Sequence, residues 1–428
     1  MVPKLFYFLM FFTLFTVTFA SVEEATALLK WKATVLSQNN SLLASWTLST
    51  DACRGWYGVI CFNGRVNKIN ITNAGVVGTL HDFPFSSLLF LEYVVYLDLS
   101  TNQITGSIPS TLGDLTKLNI LYLYENQLSG PLPAEIGKMK SLEYLSLWSN
   151  NLSGPIPITL GDLTELNVLY LYSNQLSGPI LAEIGKMKSL EYLSLWSNNL
   201  SGPIPITLGD LTELNVLYLY SNQLSGPIPA EIGKMKSLEY LSLWSNNLSG
   251  PIPSELGNLK NLTRLDLSYN QLTGLVPVSF GNLRNLQTLN LAANELSGSI
   301  PKEFAYLDSL VLFSMSFNHF SGLTEWLCKD GKLEIFVVNG GKLEIFTVNS
   351  NKLTGPIPRS LSKCSSFKRV RFNNNNFTGN LSEAFGIHPE LRFIDLSDND
   401  FHGELSSNWG KCKNLIDSKG IWKINFSG

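Results

Sequence analysis

Two sets of side chains in this 428-residue chain have the type and spacing for chemistry, and that chemistry is recognition. The first is a recurring series of phenol and indole rings: Tyr122, Tyr124, Tyr144, Trp148, Tyr170, Tyr172, Tyr192, Trp196, Tyr218, Tyr220, Tyr240 and Trp244. Such rings give large contact area and a polar tip with little loss of side-chain entropy, which suits them to interfaces. The second set is Arg369 and Arg371, separated by Val370. Two guanidinium groups on one strand face can make forked, charge-assisted hydrogen bonds to a carboxylate. Each set also has a plainer reading. Neighbouring rings can simply stack on each other across strands, and sequence duplication inflates their number. An arginine pair beside Asp395 can be a solvated basic patch, worth little.

Catalysis finds no comparable support. His81, His319, His388 and His402 are scattered, without a repeated nucleophile or carboxylate partner, and no ligand cluster suggests a metal. No enzyme activity and no cofactor are expected. A net charge of −3 lacks the basic footprint of a nucleic-acid binder. Asp98, Asp266 and Asp395 share one repeat position and are expected to satisfy groups at the strand edge.

The elements that position these residues follow from a lattice of asparagines. Asn102, Asn126, Asn150, Asn174, Asn198, Asn222, Asn246, Asn270, Asn294 and Asn318 recur every 24 residues, in the form L-x-x-L-x-L-x-x-N-x-L. This period and pattern predict an α/β repeat solenoid, a curved right-handed leucine-rich-repeat superhelix. Each repeat opens with a short strand such as residues 144–148. Leu145 and Leu147 face the core, while Tyr144, Ser146 and Trp148 face outward onto the concave side. The asparagine amide then satisfies backbone groups left open by the turn. Leu-Ser-Gly-Pro-Ile-Pro carries the chain outward, and the leucines of Leu-Gly-Asp-Leu close the convex side.

Faults in the lattice are equally readable. Residues 138–185 and 186–233 differ only at Leu181 against Pro229, a recent duplication. After Asn318 the next asparagine in phase is Asn351, because Gly-Lys-Leu-Glu-Ile-Phe at 331–336 recurs at 341–346. A bulge or loop is expected there. The expected domains are a signal peptide at 1–20, an N-terminal cap at 21–63, and repeats at 64–322. An insertion at 323–342, further repeats at 343–410 and a degenerate, truncated C-terminus at 411–428 complete them.

Lys4, the apolar and threonine run from Leu5 to Phe19, and Ala20 before Ser21 predict a secretory leader, with an uncleaved anchor as the alternative. Nine Asn-x-Ser/Thr sequons fit the same route: Asn39, Asn70, Asn151, Asn199, Asn247, Asn261, Asn376, Asn380 and Asn425. In an oxidising compartment Cys53 and Cys61 are expected to pair and staple the cap. Cys364 and Cys412 lie two repeats apart, roughly 10 Å at strand spacing, too far to bridge. Cys328 either pairs with Cys364 or, like the other two, fills the core. Residues 23–36 read as a cap helix. Ala27, Leu28, Trp31, Val35 and Leu36 form its apolar face, and Glu23 and Glu24 favour the N-terminal end of its dipole.

The cap helix, the Cys-x7-Cys motif containing Trp56-Tyr57-Gly58-Val59, and the repeat Leu-x-Gly-x-Ile-Pro-x-x-Leu-Gly-x-Leu resemble plant leucine-rich-repeat receptor-like kinase ectodomains. Within these the chain is similar to the MDIS1-interacting receptor-like kinase group. The resemblance implies an extracellular module of a receptor-like protein that binds a peptide ligand or a partner co-receptor on its concave face. It also implies that Arg369 and Arg371 hold the free C-terminal carboxylate of a peptide. Family members continue into a membrane helix and kinase. No Gly-rich phosphate loop, His-Arg-Asp or Asp-Phe-Gly motif occurs here. The expectation is therefore a receptor cut before both, secreted to the apoplast, or at the plasma membrane if the full product continues. The rivals are a secreted inhibitor of a cell-wall enzyme, like the polygalacturonase-inhibiting solenoids, and a non-functional receptor fragment.

Overall fold

The computed structural model describes residues 23–35, 42–83, 85, 94–307, 309–322, 343–358, 361, 366–404 and 407–415. The leader, Asn39, Cys328, Cys364, Asn425 and the insertion at 323–342 lie outside them, as does most of 411–428. The chain divides into two units, Met1–Ser201 and Gly202–Gly428.

The first unit opens with a helix over residues 23–34, which buries Leu28 and Trp31, with Val35 just beyond it. Leu36 falls beyond the described residues. Glu24 lies in the first turn of this helix. Its side chain is 0% exposed, and its Oε2 accepts the Val66 N–H at 3.0 Å. Loss of hydration raises its pKa, opposed by that hydrogen bond and by Arg65. A carboxyl whose folded pKa is raised contributes its full stability in acid and loses it as pH rises through that pKa. Glu24→Gln is therefore expected to raise the melting temperature at pH 7. The gain should shrink as the buffer approaches pH 4, and thermal unfolding across that range checks it.

Below the helix, Trp46 stacks on Trp56 with centroids 5.1 Å apart. Asp51 caps the single turn Ala52–Gly55 by accepting the Cys53 N–H. Cys53 and Cys61 are disulfide-bonded, with Cα atoms 5.3 Å apart. Cys61 lies in the strand Val59–Phe62, which pairs antiparallel with Arg65–Asn70. From there the sheet is parallel and in register through Tyr96–Asp98, Ile120–Tyr122, Tyr144–Ser146, Val168–Tyr170 and Tyr192–Ser194. Leu97, Leu121, Leu145, Leu169 and Leu193 align across it and are fully buried or nearly so.

A second parallel sheet forms where the sequence suggested only an outward turn. It comprises Val77–Thr79, Gln103–Gly106, Gln127–Gly130, Asn151–Pro155, Gln175–Gly178 and Asn199–Gly202. Its strands are too short, and too rich in Gly and Pro, to show a clear alternation. The third side of each repeat is a 3-10 helix following a proline or Leu181, such as Ile158–Asp162 and Ala182–Lys186.

The asparagines join these sides. Asn174 Nδ2 donates to the carbonyl oxygens of Leu147 (3.0 Å), Leu171 (3.1 Å) and Tyr172 (3.3 Å), and its Oδ1 accepts the Leu152 N–H (3.0 Å). The residue before each asparagine has a left-handed φ, 53° at Ser149, Ser173 and Ser197. That conformation is costly for a side-chain-bearing residue. The amide's bonds to flanking carbonyls hold the chain in it.

The second unit repeats this plan from Val216–Tyr218 to Phe393–Asp395, with a second sheet from Gln223–Gly226 to Asp400–His402. The slipped lattice does not interrupt its ladders. Leu312–Ser314 pairs directly with Ile345–Thr347, placing Phe313 opposite Phe346. Asn351 still donates to the Met315 and Val348 carbonyls and accepts the Phe320 N–H. Here the core turns aromatic, with Phe346 packed against Phe313, Phe367 and Phe372. Asp98, Asp266 and Asp395 accept the backbone N–H and hydroxyl of the serine two residues on, closing the strand end. Cys412 is a free, buried thiol, as expected of a core filler.

Candidate ligand-binding face

In the first unit, three rows of side chains stand on the solvent face of the long sheet. Successive strands bring Tyr122, Ser146, Tyr170 and Ser194 into one row by register. Just beyond each strand, Tyr124, Trp148, Tyr172 and Trp196 form a second row. Their rings are nearly parallel, with centroids 4.8, 5.2 and 4.6 Å apart and interplanar angles of 8°, 9° and 13°. The third row carries Ile120, Tyr144, Val168 and Tyr192. All the rings in these rows are half-buried. The rings thus stack on one another as a cross-strand ladder and still leave part of their surface to solvent.

None of these twelve positions is charged. Tyr122 loses hydration, which raises its phenol pKa, with Tyr144 and Asp98 adding to the rise. The phenol therefore remains a hydrogen-bond donor at neutral pH. Ser146 and Ser194 sit on the outward face, as alternation requires, but they are covered: 4% and 3% exposed. Neither hydroxyl bonds another protein group. A cavity of ≈ 380 Å³ lies over Ser146, walled by Tyr122, Tyr124, Tyr144, Trp148, Val168 and Tyr170.

In the second unit, Tyr218 and Tyr220 meet edge to face at 5.8 Å, and Tyr220 adjoins Trp244 at 5.7 Å. Tyr240 is half-buried, while Trp244 is the most open of the twelve singled-out rings at 37%. Burial raises the pKa of both Tyr218 and Tyr220. Arg369 and Arg371 flank buried Val370, as alternation predicts. Both guanidinium groups lie over the Phe393 ring, at 4.8 and 5.1 Å, so this unpredicted residue organises the pair. Arg371 stands opposite Asp395 in the next strand. Its Nε is buried without a hydrogen bond. Desolvation lowers its pKa, Arg369 lowers it further, and Asp395 opposes both.

Of the sequons, Asn151, Asn199, Asn247, Asn261 and Asn376 are exposed. Asn70 and Asn380 are half-buried, and each Oδ1 accepts a backbone N–H two residues on. Among the described residues, no cluster of metal-ligating side chains occurs, and no helix is long and apolar enough to cross a membrane.

These features have close counterparts. A family model described as a leucine-rich-repeat N-terminal domain matches residues 22–62. A leucine-rich-repeat region model matches 174–337, and a Leucine Rich Repeat model matches 93–115, 117–139 and 141–163. The ectodomain of the Arabidopsis receptor kinase HAESA, solved with an extended IDA peptide hormone, is 32% identical. It aligns over 95% of this chain and 74% of its own, with a TM-score of 0.68. The chain belongs to the plant leucine-rich-repeat receptor ectodomains. As such an ectodomain, it is also similar to the plant peptide hormone receptor RGFR1 solved with RGF2, at 33% identity and a TM-score of 0.69, over 84% of this chain and 63% of that one. The MDIS1-interacting receptor like kinase 2 of Arabidopsis thaliana is 47% identical over 102 residues, 23% of this ectodomain chain and 10% of the kinase's length.

Proposed function

We propose that this chain is the extracellular ligand-recognition module of a receptor-like protein. It binds a peptide, or a partner receptor, on the solvent face of its long-sheet strands. The observation that carries this reading is Arg371. Its guanidinium is partly desolvated, lies over Phe393 beside a second arginine, and has an Nε that bonds no protein group. Such a cation gains from a carboxylate that can take both guanidinium groups. The solved relatives bearing peptide hormones support the same reading for this chain, and HAESA was also solved with both the hormone IDA and the co-receptor SERK1. Secretion and glycosylation at the exposed sequons belong to this proposal.

The test is selection of synthetic hexapeptides with free C-terminal carboxylates on the secreted chain, followed by resynthesis of each binder as its carboxamide. The amide is expected to bind at least about tenfold more weakly, since a hydrogen bond to a charged group contributes roughly 1.5–3 kcal/mol. Arg371→Ala should erase the difference between acid and amide. Equal binding of both forms to the unmodified chain would remove the carboxylate role.

A further inference from the structure

The two aromatic rows of the first unit differ in one respect. Beyond the strands every repeat supplies a ring, from Tyr124 to Trp196, and the rings stack at about one strand spacing. In the adjacent row Tyr122 and Tyr170 supply rings, but Ser146 stands between them. Two strand spacings, about 9.6 Å, separate the backbones on either side. Aromatic centroids pack at about 4.5–7 Å, so the interval suits one further ring. The cavity of ≈ 380 Å³ occupies this place. Ser146 is part of its lining; the residue is only 4% exposed, and its hydroxyl is buried and paired by no protein group. A buried polar group without a partner is costly. No hydrogen bond holds the Ser146 hydroxyl, so a change of χ1 rotamer can aim it into the cavity.

We propose that the gap over Ser146 is a slot for one aromatic side chain of the ligand, whose ring carries a hydrogen-bonding atom, as a tyrosine does. This deepens the peptide-binding reading and rests on it. The entering ring completes the interrupted row between Tyr122 and Tyr170, and its polar atom pairs with Ser146 Oγ. The lining is uncharged throughout, so a ring bearing a formal charge finds no counter-ion there.

The probes are the tripeptides acetyl-Gly-Tyr-Gly-amide, acetyl-Gly-Phe-Gly-amide and acetyl-Gly-Leu-Gly-amide, titrated against the intact chain by saturation-transfer NMR. The expected order is tyrosine, then phenylalanine, with leucine at least about tenfold below tyrosine. Ser146→Phe fills the slot with the protein's own ring and should weaken the tyrosine probe at least about tenfold. Ser146→Ala should weaken the tyrosine probe about fivefold, the effect of one hydrogen bond, and leave the phenylalanine probe unchanged. The alanine variant keeps the test valid should the phenylalanine variant misfold. Equal binding of the tyrosine and leucine probes, no binding of the tyrosine probe, or unaltered binding to both variants would overturn the slot. The probes have blocked C-termini, so this result is independent of the carboxylate selectivity tested at Arg371. Loss of the slot with that selectivity intact leaves the receptor reading standing.

Discussion

Asn174→Ala is expected to destabilise the chain by about 1–3 kcal/mol, the cost of leaving the buried Leu152 N–H without an acceptor. The substitution strips an acceptor from the Leu152 N–H and a donor from the carbonyls of Leu147, Leu171 and Tyr172. These groups belong to two successive repeats and lie away from solvent; the carbonyls keep second donors in Asn150, Asn198 and Ser149, so the Leu152 N–H carries the loss. The substitution also releases Ser173, whose φ of 53° the neighbouring bonds hold in place. Urea unfolding measures the loss, and hydrogen exchange at the Leu152 amide locates it. Gln175→Ala, one residue along and exposed, should stay within about 0.5 kcal/mol. Comparable effects at both positions would contradict a lattice role for the asparagine.

Gly161→Ala is the second large effect. A Cβ at Gly161 would fall on the backbone carbonyl oxygen of Glu183, in the 3-10 helix of the next repeat. The obstacle is backbone, so a side-chain rotation cannot relieve it, and neighbouring helices must separate. The expected cost is about 2–3 kcal/mol, the usual range for overpacking a tight interior. Gly113 and Gly137 meet the same obstruction in this unit, and Gly209, Gly233, Gly257 and Gly281 meet it in the other. This explains the glycine in Leu-Gly-Asp-Leu: it permits close stacking. Gly410→Ala is the control, since its Cβ meets nothing within 4 Å. Melting temperatures should fall for the first substitution and hold or rise for the second.

Much of this architecture was legible from the residues. The 24-residue period, the leucine alternation and the Cys-x7-Cys motif each have one physical solution, because a repeat cannot bury its apolar face alone. The outward placement of Tyr122, Trp148, Arg369 and Arg371 followed from period-2 alternation alone. Other features depend on neighbours that are distant in sequence. Gly161 looks like a turn residue until Glu183 of the next repeat lies against it. Ser146 reads as an outward serine, and its burial to 4% exposure shows only once the neighbouring strands are in place. The regular exchange of tyrosine and serine at this position, from Tyr122 to Ser194, was the available signal. Phe393 gave none, since an outward phenylalanine resembles a stray surface residue until two arginines lie over it. The burial of Glu24 gave no local signal, because its hydrogen-bond partner Val66 lies 42 residues on.

The most direct test of the central claim is where a selected peptide lies on the chain. The best binder from the carboxylate hexapeptide selection, carrying a photoreactive group, should be cross-linked to the intact secreted chain and mapped by mass spectrometry. The account predicts adducts on the strand face, at the rings from Tyr122 to Trp196 or at Arg369, Arg371 and Phe393. Adducts confined to the 3-10 helices such as Ile158–Asp162, or no binder displaced by excess unlabelled peptide, would contradict it.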